Sequence, residues 1–362
     1  MLNLILLFNP TVLRRLRFLL KWFFFSIVLS ISLSAPAAGT WAPLTHPPPA
    51  GLNNSLLLSD GTVICGDGGS GWYRLTPDIH GSYINGTWSP IASTHYTRLF
   101  YSSDVLTNGY VYVAGGEYGS GRDRAELYNP LNDTWTEIPR PTSSPVFSDA
   151  VSKILPNGNV LQGTTGGNVW IYNPTLNTIT AGPSARNQNE ACWVKLTNDC
   201  VLTVDAFGTQ SEHYAPSLNT WVNDATVPVS LYGYGGEMGA GFVLPNGNVF
   251  YIGGTTHTAI YTPGATATAA GTWVAGPEMI FGGVGLGAVD APAAMMVNGK
   301  ILCALGTTNG FGSTTYFYEY DYVANSFAQV NGPTGLTLST APFATTMTSM
   351  PSWNRRSLKR YR

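Results

Sequence analysis

Short apolar runs recur along the chain, and most are entered through a polar two-residue turn. Val63–Cys65, Val111–Ala114, Val201–Val204, Val249–Ile252 and Ile301–Leu305 are such runs. They are too short for ordinary helices and read as buried strands. The turns before them are Asp60-Gly61, Asn108-Gly109, Asn157-Gly158, Asn198-Asp199, Asn246-Gly247 and Asn298-Gly299. Asn-Gly and Asp-Gly tolerate positive φ at both central positions, which predicts type I′ hairpins. Small residues crowd the segment before each turn, among them Ser102, Ser103, Gly239, Ala240, Gly241, Ala293 and Ala294.

The fullest unit runs from Val111 to Trp135 and predicts three strands in a row. Aligned on its last aromatic, it repeats at Trp41, Trp88, Trp135, Ile179, Trp221, Trp273 and Phe327. The steps of roughly 42 to 54 residues match one four-stranded propeller blade. Small residues then belong to the innermost strands, where the blades crowd the channel. A tyrosine column at Tyr128, Tyr172, Tyr214, Tyr261 and Tyr320 keeps the same phase. Regular phase argues for packing between blades rather than for an aromatic ligand site.

Val113 to Gly116, Leu127 to Pro130 and Asn132 to Trp135 resemble a kelch repeat. Tyr251 to Gly254, Tyr261 and Trp273 follow the same plan. Leu155 to Val160 and Leu244 to Val249 are similar to the inner hairpins of bacterial secreted kelch and galactose-oxidase-like propellers. The diglycine is lost at Gly163-Thr164, Asp205-Ala206 and Leu305-Gly306. The expected fold is all-β: a kelch-type propeller over residues 39–347 with six complete four-stranded blades. Remnants of a seventh are an N-terminal outer strand at Gly39 to Pro43 and an inner strand at Ser339 to Met347. A six-blade ring is the alternative.

Composition narrows the picture. The chain has 362 residues, 10% of them charged, and a net charge of −2, so no nucleic-acid footprint is expected. Arg14, Arg15, Arg17 and Lys21 precede an apolar stretch from Trp22 to Leu33, and small residues follow. That order predicts a signal peptide over residues 1–38, and a membrane anchor if it is uncleaved. The expected location is therefore secreted or periplasmic, with membrane contact only through that segment. Residues 348–362 form a basic tail. Four cysteines in an exported chain could pair. Cys65 and Cys303 instead fall on the same strand of different units. Cys192 and Cys200 flank one hairpin, with Cys192 expected opposite Asp205 and Cys200 opposite Thr197. Buried free thiols are expected.

Candidate chemistry lies in the loops predicted to line one mouth of the channel. Counting back from each hairpin turn makes Leu52, Phe100, Asp149, Glu190, Met238 and Asp290 equivalent, with Glu237 one residue earlier. Arg98, Glu117, Arg122 and Arg186 lie in neighbouring mouth loops. Carboxylates converging on the axis could hold a cation or, with Arg98 and Arg186, a polar ligand. Alternatively, each ties down its own loop through backbone N–H groups. No catalytic set, metal site or cofactor is expected. Galactose-oxidase relatives use a copper site that includes a Tyr-His pair, whereas this chain has only His95-Tyr96 and His213-Tyr214. The kelch precedent of a periplasmic sialic-acid epimerase implies acid/base groups at the mouth, which Glu117, Glu190, Arg98 and Arg186 could imitate, although no motif matches. The expected function is a non-catalytic scaffold binding carbohydrate or a protein partner at the loop face. The alternative is a carbohydrate-active oxidase or epimerase.

Overall fold

A computed structural model describes residues 40–141, 146–149, 151–311 and 314–333. These residues form six antiparallel sheets, the blades of a β-propeller. Blade one spans 54–91, blade two 102–137, blade three 152–181, blade four 194–223, blade five 238–275 and blade six 280–330. Within blades one to five, and among the last four strands of blade six, the strands pair in chain order from the inside outward. The predicted signal peptide, the seventh inner strand and the basic tail lie outside the described residues.

The apolar runs become the second strands. Val63–Gly66, Val111–Ala114, Val160–Gly163, Val201–Val204 and Val249–Gly253 are buried at every position. Both faces of a blade are covered by its neighbours, so these strands lack polar alternation. The core accordingly lies between blades. Ile64 and Trp72 of blade one pack with Val111, Tyr128 and Trp135 of blade two. Phe250 of blade five stacks on Tyr320 of blade six, with centroids 3.8 Å apart. Each such side chain contributes about 1.5–3 kcal/mol by leaving water.

The predicted hairpins occur at all six sites, but with a different turn. Only the second turn residue has positive φ: Gly61, Gly109, Gly158, Asp199, Gly247 and Gly299. The first is held at negative φ by an Asx turn. Asp60 Oδ1 accepts from Thr62 N at 2.9 Å, and Asn108, Asn157, Asn246 and Asn298 repeat the bond at 3.0–3.1 Å. The result is a three-residue loop ending in a left-handed residue rather than a type I′ turn. In blade four, Val194 pairs with Leu202 and Lys195 with Val201. That register sets Cys192 level with Val204 and Cys200 level with Leu196, one residue from expectation. All four cysteines are free, and three of them are buried.

The tyrosine column packs against the outer-strand aromatics, as Tyr128 does on Trp135 at 5.0 Å. It also closes the outer turns. Tyr128, Tyr172, Tyr214 and Tyr320 donate to Asp133, Asn177, Asn219 and Asn325, each five residues on, at 2.8–3.0 Å. Each acceptor sits at positive φ. Outer-strand indoles tie neighbouring blades together: Trp135 Nε1 donates to Ala92 O at 2.8 Å and Trp221 Nε1 to Pro183 O at 3.0 Å. Trp41 makes the equivalent bond to Asn331 O at 2.6 Å and rests on Phe317. The segment around it forms no strand, so the N-terminal contact with blade six is a partly exposed indole rather than a ladder.

Blade six carries an addition that sequence reading missed. A hairpin, Ile280–Phe281 and Val284–Gly287, precedes its inner strand and extends the sheet through Leu286 and Thr307. Its two turn residues, Gly282 and Gly283, both have positive φ.

Candidate functional site

The inner strands enter the channel through tight turns in which non-glycine residues adopt the left-handed region. Phe100, Ser148, Glu190 and Asp290 have φ between 47° and 54°. This repeated kink aims the adjoining side chains at the channel mouth. Carboxylates from successive blades meet there. Ligand oxygens of Glu190, Glu237 and Asp290 lie within 4.8 Å of one another. Glu190 is also hydrogen-bonded to Asp149, and Glu237 to Asp290. Glu117, from the loop between the second and third strands of blade two, feels the charges of Asp149 and Asp290.

Two carboxyl groups can share a hydrogen bond only if one holds a proton. Burial, then Asp149 and the nearby charges of Glu237 and Asp290, raises Glu190 far above the usual carboxylate range. Burial, then Asp290, raises Glu237. Burial also raises Asp290, against a lowering contribution from Glu237. Glu117 is raised by burial, and Tyr118 and Arg122 partly offset this. Glu190 and Glu237, raised furthest above the usual carboxylate range, are therefore the acids of the mouth that hold protons near neutral pH. An all-carboxylate set of this spacing has the hard oxygen donors that calcium-like cations require.

The arginines take other places. Arg98 is 2% exposed, and its guanidinium is spent inside blade two. Its Nη1 donates to Gly115 O, Gly121 O and Arg124 O at 2.6–3.0 Å, and its Nη2 to Glu126 Oε2 at 2.8 Å. Arg186 sits at the equivalent place in blade four. Its backbone N donates to Glu212 Oε1 at 2.6 Å and its Nη2 to Asn223 Oδ1 at 2.8 Å. Both arginines fasten mouth loops to third-strand glutamates, and neither faces a ligand. Arg122 is exposed, and its carbonyl accepts from Phe147 N and Ser148 N. The loop from Glu117 to Arg124 is thereby tied to the entry of blade three. Of the eight expected site residues, the structure gathers Glu117, Asp149, Glu190, Glu237 and Asp290, with Arg122 beside them.

Other residues of the mouth were missed. A cavity of about 280 Å³ is lined by Asp149, Glu190 and Asp290, and also by Lys153, Cys192 and Trp193. Lys153 acts on Asp104, which burial raises and which accepts from Ser152 Oγ at 2.6 Å. Around the opening stand five rings, Phe100, Tyr118, Phe207, Tyr234 and Phe311, each 37–58% exposed. Phe100 meets Tyr118 edge-on, and Tyr234 meets Phe311 likewise. One signal for Phe207 and Phe311 was available: a large apolar residue in a short loop on the face that carries the carboxylates.

Comparison with known proteins bears on the fold that carries this mouth. The kelch motif family matches residues 98–142, which is blade two together with the Arg98 entry loop. The chain is a β-propeller that carries a kelch motif. N-acetylneuraminate epimerases from two strains of Haemophilus influenzae are each 25% identical over 229 residues, 59% of this chain and 56% of theirs. This kelch propeller thus spans little more than half the length of the curated relatives it matches. Virginiamycin B lyase from Staphylococcus aureus superposes with a TM-score of 0.55 at 10% identity, over 83% of this chain and 89% of that one. A fungal alcohol oxidase of the AA5 family, in complex with copper, gives a TM-score of 0.41 at 19% identity, over 78% and 53%.

Proposed function

We propose that this kelch propeller is an exported, non-catalytic binding scaffold that takes carbohydrate at its channel mouth. One observation carries the reading. Carboxylates from several blades converge at a concave opening whose rim is exposed aromatic rings. Polar groups that fix hydroxyls, beside rings that stack on sugar faces, are the usual make-up of a small-ligand site. The charge of the mouth selects among sugars. Arg98 and Arg186 are turned into Glu126 and Glu212, so a carboxylated sugar such as N-acetylneuraminate meets mainly acidic groups. A neutral or basic saccharide fits better. A glycan array probed with the full chain tests this. Binding of neutral or basic glycans that weakens in Glu237→Gln supports the reading. A silent array that stays silent at raised protein concentration overturns it in favour of a protein partner.

A second reading has its own support. Carboxyls held protonated beside ionisable neighbours are the pairing that acid/base catalysis on sugars uses, and an epimerase is among the relatives. Incubating reducing sugars with the protein in heavy water distinguishes the two. The scaffold reading expects no exchange of carbon-bound hydrogen by NMR. Exchange that disappears in Glu237→Gln would establish the enzyme instead.

A further inference from the structure

We propose that the ligand of the mouth is an aminated saccharide, whose ammonium lies among the carboxylates while its ring lies against the aromatic rim. This rests on the carbohydrate reading above and adds the charge.

Among the described residues no salt bridge answers the acids of the floor, and Lys153, which lines the same cavity, acts on Asp104 instead. Glu190, Glu237 and Asp290 place oxygens within 4.8 Å of one another. Asp149 Oδ1 is shut off from solvent in the cavity wall without a hydrogen-bond partner. Buried carboxylates elsewhere in this chain are answered by cations: Glu126 by Arg98, and Asp224 by His213 at 2.8 Å. At the mouth, protons do that work. An ammonium presents three donors on a compact charge. It can take the place of those protons and reach the open Asp149 oxygen.

The rim is built as one piece with the floor. Phe207 and Phe311 press on the turn formed by Gly235 and Gly236, which leads directly into Glu237. A Cβ on Gly236 would fall 2.1 Å from Phe207 Cε1, and one on Gly235 would fall 2.8 Å from Phe311 Cζ. The Tyr118 hydroxyl is raised first by its hydrogen bond to Glu117, and Asp290 and Glu190 add to it, which brings that ring near the floor. Aromatic faces attract cations as well as sugar rings, most strongly where water is excluded. The set therefore fits a sugar ring that bears an ammonium group. A bare metal ion would use the carboxylates and leave the rings idle.

The test is calorimetry on the full chain with two oligosaccharides of equal length, one of glucosamine and one of N-acetylglucosamine. They differ in whether the nitrogen is charged. The glucosamine oligomer is expected to bind roughly tenfold or more tighter, to weaken as salt is added, and to release protons. Proton release reads as a binding heat that changes with the buffer's ionisation enthalpy. Glu237→Gln should abolish the preference while keeping residual binding of both. Phe207→Ala should weaken both alike. Equal affinity, preference for the acetylated oligomer, or tighter binding of calcium ion alone overturns the proposal. If neutral glycans bind on the array and glucosamine does not, the charge inference fails and the carbohydrate reading stands. If no glycan binds at all, both fall.

Discussion

Blade two and the channel mouth solve the same problem in opposite ways. Each buries a carboxylate. Glu126 is wholly buried, yet it accepts from Arg98 Nη2 at 2.8 Å, from His95 N at 2.8 Å and from His95 Nδ1 at 2.7 Å. Glu237 is 9% exposed and faces Glu190 and Asp290. A buried charge with a full set of donors is a structural fastening. Buried acids that face one another contribute nothing to the fold that apolar residues could not, and they are held protonated until something replaces the protons. Partnering therefore separates the skeleton of this protein from its candidate site, although residue type does not.

Substitutions should widen that contrast. The largest effect is expected from Arg98→Ala, which strands Glu126 and three carbonyls. It should cost about 3–5 kcal/mol in denaturant unfolding, and loss of less than about 1 kcal/mol would place Glu126 among the adaptable groups. Glu190→Gln should act in the reverse sense. It removes an acid that must be protonated in place, so it should stabilise by about 1–2 kcal/mol above neutral pH while weakening ligand binding.

The pH profile sharpens the same point. Glu190, Glu237 and Asp290 are raised in the folded state, so that state holds more protons than the unfolded chain. Their contribution is full below about pH 4 and is lost as pH rises through the folded values. The melting temperature of the wild type should fall between about pH 5 and pH 9, and a Glu190→Gln, Glu237→Gln double variant should show a flatter profile. His213 adds to this from higher pH. Burial pulls its imidazole down, but the bonds to Asp224 and to Ala267 O outweigh burial and hold it above its ordinary value. Its contribution is complete below about pH 6.5 and is also lost as pH rises. Against that baseline, His213→Gln should flatten only the upper part of the profile.

The smallest effects are expected in the repeats. Tyr320→Phe removes one hydroxyl from an outer turn and should cost about 1 kcal/mol. Asn157→Ala removes the Asx bond that holds its hairpin, at a similar or smaller cost of about 0.5–1 kcal/mol. Neither should alter ligand binding at the mouth, and a change in binding from either would join skeleton and site more closely than the geometry does.

Much of this was legible in the order of residues. The apolar runs, the Asn-Gly turns and the recurring Trp and Tyr fixed the blade and its period, because strand burial, turn chemistry and packing phase are local and repeat. Local pattern also placed Asp149, Glu190, Glu237 and Asp290 at one mouth, since equivalent positions in successive blades must face the same axis. It went wrong on the turn itself, where the same Asn-Gly pair serves two hairpin geometries and the Asx bond chooses between them. It also went wrong on Arg98 and Arg186. A guanidinium reaches far enough to serve either the mouth or the blade interior, and only the position of Glu126 and Glu212 across the sheet decided which. The aromatic rim was likewise settled in three dimensions. Phe207, Tyr234 and Phe311 come from separate blades, and no spacing along the chain says that their rings close around one turn. What the sequence determined by itself was the repeating unit, a matter of neighbours. What the tertiary structure decided was which acids find a cation and which are left to share protons, because that depends on long-range approach between blades.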